Sequence, residues 1–175
     1  MLPLMTLYYT VSIDGFIADS DDNGPWPDSS WQLYISNCKE VGNLVMGRRT
    51  YELFLRDNDF VCTSFNTLTV VSSSLAAVEN GFTCVKSPEE AYSRLCELQI
   101  ERALIIGGAS TAGSFLNAEL IDYLRLDIEP IALGEGIPMF RHLTKPAQLA
   151  LVSSEQKAHG CESKLYEVIA PKKRR

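Results

Sequence analysis

ALIIGGASTAG, Ala103 to Gly113, is the stretch on which the reading of this chain turns. Ala103 to Ile106 is a short apolar run that reads as a buried strand, and Gly107-Gly108 ends it. Ala109 to Asn117 then has helix-compatible composition, with an N-cap-type start in Ser110 and Thr111. A strand that turns on two glycines into a helix leaves backbone N–H groups pointing out of the turn, with the positive end of the helix dipole behind them. That is a site for a phosphate or pyrophosphate. Neither G-x-G-x-x-G nor G-x-x-x-x-G-K-[ST] occurs in the chain. The same glycines also suit a tight turn that needs them for its dihedrals alone.

Upstream, the same strand-turn-helix grammar repeats. Leu4 to Ser12 (LMTLYYTVS) is mostly apolar and rich in β-formers, as a strand covered on both faces is. Asp14-Gly15 follows as a turn, and Asp14 stands either for Asx-turn chemistry or for a group at a strand's carboxyl end, where ligands of open α/β sheets gather. Asp19 to Pro27 is a polar loop punctuated by Gly and Pro. Asp28 then opens a helix to about Glu40, either capping it or standing beside the two tryptophans as an acid able to protonate a substrate. Asn43 to Met46 is a second strand. Gly47-Arg48-Arg49-Thr50 follows, with a helix from about Thr50 to Leu55. Guanidinium groups match phosphate oxygens through paired N–H donors, and the alternative for this pair is a solvated surface beside Glu52.

Leu68 to Val71 is a third strand, ending in Ser72-Ser73-Ser74, whose hydroxyls face a phosphate or ribose or close their own turn. Phe82 to Val85 is a fourth. Ser87-Pro88-Glu89-Glu90 opens a helix to about Leu98, with Ser87 at the N-cap, Pro88 at N1 and Glu90 at the capping-box position. After the diglycine turn, Ile121 to Leu133 alternates like a strand with one wetter face, and Pro130 marks a bend or edge. Leu149 to Lys157 and Lys164 to Ile169 form a hairpin through His159-Gly160. The order predicts an α/β protein with a largely parallel sheet and an antiparallel edge.

Composition limits the rest. The 175 residues carry a formal charge of -6, with 46% hydrophobic and 22% charged residues. One domain over 1–170 is expected, followed by a basic tail over 171–175 that reads as a solvated end. An acidic chain without a basic face is no general nucleic-acid binder. Five scattered cysteines without a C-x-x-C pair, and two distant histidines, predict reduced thiols and no metal site. No signal peptide and no run of membrane-spanning length is read, so a cytoplasmic protein without membrane partners is expected.

Taken together, S-x-D-G-x-I-A (Ser12 to Ala18), M-G-R-x-T-Y-E (Met46 to Glu52), V-V-S-S (Val70 to Ser73), I-I-G-G-A (Ile105 to Ala109) and I-E-P-x-x-L-G-x-G-x-P-x-F (Ile128 to Phe140) resemble the dihydrofolate reductase superfamily. The closest resemblance is to the reductase domain at the C-terminus of the bifunctional riboflavin-biosynthesis deaminase–reductase and to its stand-alone relatives. The resemblance implies a three-layer α/β/α fold on a mostly parallel eight-stranded sheet, with NADPH as hydride donor. It implies that the backbone of Gly107, Gly108 and Ala109 holds the pyrophosphate, with Ser110 and Thr111 beside it. Gly47, Arg48, Arg49 and Thr50 fall on the adenosine-side phosphates, Ser72 and Ser73 near the 2′-phosphate, and Ile17 and Ala18 beside the nicotinamide. Asp14, Asp28 and Glu129 are the candidates for proton delivery or substrate hydrogen bonding. The implied activity is reduction of a phosphoribosylaminouracil by direct hydride transfer, in a homodimer. Dihydrofolate reduction and non-catalytic NADPH binding are the alternatives.

Overall fold

The computed structural model describes residues 2–57, 64–79 and 81–169. Cys62 and the basic tail lie outside the described residues. The elements run β1 (Leu4–Ser12), β2 (Phe16–Ala18), α1 (Asp28–Val41), β3 (Asn43–Gly47), α2 (Arg48–Asp57), β4 (Thr67–Val71), β5 (Phe82–Val85), α3 (Pro88–Glu97), β6 (Arg102–Ile105), α4 (Ala109–Asn117), β7 (Tyr123–Glu129), β8 (Ile137–Pro138), β9 (Gln148–Gln156) and β10 (Glu162–Ile169). Eight strands form one sheet in the order β5-β4-β3-β6-β1-β7-β10-β9, while β2 and β8 pair separately. From β5 to β7 every pairing is parallel, and β10 runs antiparallel to both β7 and β9. This is the expected mostly parallel eight-stranded sheet with an antiparallel C-terminal hairpin.

Side-chain alternation along the apolar strands divides the interior in two. Met5, Leu7, Tyr9 and Val11 of β1 pack with Val45, Ala103 and Ile105 against Ala91 and Leu95 of α3 and Ala112 and Phe115 of α4. Tyr8, with Leu44, Met46, Leu68, Val70 and Leu104, faces the other way, against Tyr34 and Cys38 of α1 and Tyr51 of α2. Unbroken apolar runs in β1, β3 and β6 follow from having helices on both sides. Three layers result. The outer hairpin strand β9 extends past them and is exposed along nearly its whole length.

Local signals were uneven. Ser87 caps α3 as expected, its hydroxyl accepting from the Glu90 N–H at 3.2 Å, while the Glu90 carboxylate takes the Lys86 N–H at 2.7 Å. Asp28 does not cap α1: Pro27 occupies that position with no side-chain cap, and Asp28 is an exposed first-turn acid beside the helix dipole. Ser110 and Thr111 do not cap α4 either, because Gly108 holds the N-cap and they fall inside the first turn. The second helix begins at Arg48 instead of Thr50, and β7 stops at Glu129, one residue before Pro130. No helix among the described residues is long and apolar enough to cross a membrane.

Candidate functional site

Four parallel strands, β4, β3, β6 and β1, end on the same side of the sheet, and a cleft of about 640 Å³ opens over their carboxyl ends. Two strand-to-helix junctions form its floor. At one, β3 passes through Gly47 into Arg48, Arg49 and Thr50 of α2. At the other, β6 passes through Ile106, Gly107 and Gly108 into Ala109, Ser110 and Thr111 of α4. The junctions are tied together: the Gly47 N–H donates to Gly107 O at 2.7 Å and the Ile106 N–H to Val45 O at 2.9 Å.

Backbone approach explains the glycines. A Cβ on Gly47 would overlap the Thr111 hydroxyl and stand 3.5 Å from the Gly108 nitrogen. Gly107 has φ +132, and a Cβ there would meet Thr50 Oγ1 at 2.9 Å. The Gly107–Gly108 peptide is cis. Because the first N–H groups of a helix have no intrahelical acceptor, and Gly108 brings no capping side chain, the opening turn of α4 presents donors to the cleft. The start of α2 faces the same space, so two positive dipole ends converge there.

Around this floor the walls differ in chemistry. Ile17 and Ala18 of β2 and Ile137 of β8 line one part, and Trp26, Trp31, Tyr34, Leu53 and Phe54 add aromatic and apolar surface. Trp31 stacks on Tyr34 at 5.6 Å, and Tyr34 on the buried Tyr8 at 4.9 Å. That column is anchored below the cleft. The Tyr8 hydroxyl donates to Asp127 at 2.5 Å, Ser163 donates to the other oxygen of the same carboxylate, and Asn37 donates to Tyr8 at 2.8 Å. Burial, then the Asp127 charge, lifts the Tyr8 phenol far above its usual range, so it remains a donor. Partners 119 residues apart left no local pattern for sequence reasoning to find.

At the rim, Arg48 lies 3.4 Å from Glu52 on its own helix. Arg49 is held by Asp22, its Nε–H donating at 2.7 Å and Nη2 binding the same oxygen. Arg141 also lines the cleft, its N–H donating to Ala109 O at 3.1 Å. Sequence reasoning singled out neither Asp22 nor Arg141, since each joins the site from a loop remote in sequence from the junctions.

Gly47 to Thr50, Gly107 to Thr111, Ile17 and Ala18 are thus brought together. Ser72 and Ser73 do not line the cleft; Val71 does. The Ser72 hydroxyl is buried and accepts from the N–H groups of Ser74 and Leu75, closing its own turn. Asp14, Asp28 and Glu129 also stand outside the lining. Glu129, level with Ser12 in the β1–β7 register, is fully buried, and neither of its oxygens finds a nitrogen or oxygen partner among the described residues. Burial, with the Glu129 carboxyl beside it, pushes the Cys161 thiol up to about 12.

Asp14 pins one loop to another, accepting from Gly134 N–H at 2.7 Å and Leu133 N–H at 3.1 Å. The Ser12 hydroxyl, then these N–H groups, hold its carboxyl down at about 2. With its folded value below the unfolded one of 3.8, the group stabilises the fold above that pH and loses its contribution as the pH falls toward 2. Asp14→Asn is therefore expected to flatten the fall in stability across that window. Acid titrations of the unfolding midpoint, followed by circular dichroism, check this: an unchanged slope removes Asp14 from the acid response.

Comparison with known proteins agrees with the architecture. The chain is similar to the uncharacterized protein YwjB of Bacillus subtilis, 28% identical over 156 residues that cover 86% of this chain and 90% of that one. It is 26% identical over 160 residues to the riboflavin biosynthesis protein RibD of Corynebacterium ammoniagenes, covering 80% of this chain and 47% of that protein. Among solved structures, a pyrimidine reductase-like protein of Corynebacterium diphtheriae superposes with a TM-score of 0.76 at 18% identity, over 97% of this chain and 93% of that one. The Thermotoga maritima diaminohydroxyphosphoribosylaminopyrimidine deaminase/5-amino-6-(5-phosphoribosylamino)uracil reductase gives 0.72 at 16% identity, over 95% and 57%. The RibD C-terminal domain model matches residues 3–162, and the chain belongs to that family.

Proposed function

We propose that this chain is an NADPH-dependent reductase of the riboflavin-biosynthesis type, acting on a pyrimidine that carries a ribose phosphate. The observation that carries the reading is the cradle: two helix N-termini and two glycine-bearing junctions meet under one cleft, with Arg48, Arg49 and Arg141 lining it. Side-chain-free backbone at Gly47 and Gly107, where a Cβ would fill the floor, fits a pyrophosphate held by N–H groups. The dinucleotide, once bound, supplies a hydride from its nicotinamide.

The protein's own part is binding, orientation and exclusion of water. Ala109 to Thr111 hold phosphate oxygens through the α4 opening turn, Arg48 and Arg141 neutralise their charge, and Arg49 at the rim serves the 2′-phosphate. Ile17, Ala18 and Ile137 give an apolar wall that keeps water from the reacting carbon, and the Trp31–Tyr34 face suits a flat heterocycle. Among the described residues, Asp22 is the one carboxylate lining the cleft, and one of its oxygens is taken up by the Arg49 guanidinium. The proton that accompanies hydride transfer therefore comes from solvent in this reading, with Asp14 and Asp28 in structural roles. A homodimer goes with it, and the exposed edge β9, where Leu149, Leu151 and Val152 stand 40–57% exposed, supports one.

Calorimetric titration with NADPH, followed by absorbance-monitored oxidation with a phosphoribosylaminouracil and with dihydrofolate, tests the proposal. Binding together with turnover of the uracil is expected. Turnover of dihydrofolate alone overturns the substrate, binding without any turnover overturns the enzyme, and no binding overturns the whole.

A further inference from the structure

One contact at the rim of the cleft occupies donors that a phosphate would need. The loop between β2 and α1 turns tightly on Asp19, whose carboxylate accepts from the N–H groups of Asp21 at 2.8 Å and Asn23 at 2.9 Å. Asp22, at φ +69, sits at the apex of that turn in a conformation uncommon for a residue with a side chain. The turn aims its carboxylate, 16% exposed, at Arg49 on the first turn of α2, 27 residues away. Both Nε and Nη2 donate to a single carboxylate oxygen. Arg48 offers a contrast. Its partner Glu52 lies one turn along the same helix at 3.4 Å, with both side chains about half exposed, so that pair is local and loose.

A guanidinium presents its paired N–H groups to a carboxylate and to a phosphate in the same geometry, and one pair of donors cannot serve both at once. Gly24 and Trp26, from the same loop as Asp22, line the cleft. We propose that Asp22 is a competitor built into the cleft: it holds the Arg49 guanidinium until a ligand phosphate takes it, and that exchange releases the Asp19–Pro27 loop. The proposal rests on the dinucleotide reading and extends it in two directions. Loop position becomes coupled to phosphate occupancy, and selectivity between cofactors becomes tunable at Asp22. In this proposal a dinucleotide whose adenosine ribose lacks the 2′-phosphate leaves the Asp22–Arg49 pair intact, whereas one that bears it takes the same Nε–Nη2 edge and displaces the carboxylate. Asp22 thus lowers the margin by which the cleft prefers NADPH to NADH.

The test titrates the full chain and its Asp22→Asn variant with NADPH, NADH and inorganic phosphate, a stand-in for the 2′-phosphate monoester, and follows amide hydrogen exchange over residues 19–24. Loss of an ion pair of this exposure should tighten NADPH about fivefold. NADH should move less than twofold. Exchange in the loop should rise when NADPH or inorganic phosphate is added to the wild type, and should already be raised in Asp22→Asn. NADPH affinity unchanged or weakened in Asp22→Asn, or tightened no more than NADH, overturns the proposal, as does a wild-type loop whose exchange ignores both ligands. Failure of either protein to bind NADPH, with the loop still answering to inorganic phosphate, sinks the dinucleotide reading and leaves the Asp22 exchange standing.

Discussion

Gly47→Val is expected to weaken NADPH binding about a hundredfold while leaving the chain folded. Gly47 is the last residue of β3 and lies where the two junctions touch, with its own N–H bonded to Gly107 O. Any side chain placed there first meets the Thr111 hydroxyl, which can turn aside by rotating about one bond. The rest of the side chain then lies in front of the Gly108 nitrogen, 3.5 Å from the Cβ position. The Gly108 N–H would be screened from a phosphate, and a hydrogen bond to a charged partner contributes about 1.5–3 kcal/mol. Losing it at the upper end of that range corresponds to roughly two orders of magnitude in affinity. Gly108→Ala is the internal comparison. Its added Cβ meets only Thr50 Oγ1 at an ordinary 3.7 Å, so binding should suffer far less. Thermal unfolding and NADPH titration of both variants give the answer. Equal losses at 47 and 108 would mean that the opening between the junctions is not the phosphate position.

What the sequence disclosed follows from how local each determinant is. The bounds of β1, β5 and α4 and the start of α3 were legible because apolar runs, a diglycine stop and a capping box all act within a few residues. The junctions at Gly47 and Gly107 were legible for the same reason, since a strand feeding directly into a helix leaves a compact signature. Asp14, Asp28, Ser72 and Ser73 look alike in sequence whether they meet a ligand or satisfy a turn. In the fold, Ser72 closes its own turn and Asp14 ties down Leu133 and Gly134. Hidden features share a different property. The β2–β8 pair, the Tyr8–Asp127–Ser163 network, the Asp22–Arg49 contact and the arrival of Arg141 each join residues 27 to 122 apart or depend on one three-dimensional approach. None of these imposes a period on the chain.

Gly113 shows how far one such approach can matter, because helix propensity and packing predict opposite signs there. Gly113 lies inside α4, where exchange for alanine ordinarily stabilises a helix by about 1 kcal/mol. Here a Cβ would run into the carbonyl oxygen of Arg141 and come within 3.1 Å of its carbonyl carbon, both main-chain atoms that cannot rotate away. The segment carrying Arg141 is fastened to α4 on either side of that point. Arg141 N–H donates to Ala109 O at 3.1 Å, Asn117 Nδ2 to His142 O at 2.8 Å, and Thr144 N–H to Asn117 Oδ1 at 3.0 Å. Relief of the overlap means lifting this segment and straining or losing those bonds, at about 1 kcal/mol each, besides an overpacking cost of about 1–3 kcal/mol. Against the helix gain, Gly113→Ala should be net destabilising by about 2 kcal/mol, a fall of roughly 4–8 °C in the unfolding midpoint for a domain of this size. Because the lifted segment also carries Arg141 into the cleft, NADPH affinity should fall with it, even at temperatures where the variant is fully folded. A rise in the midpoint would show that α4 tolerates the methyl group and that Arg141 reaches the cleft by some other support.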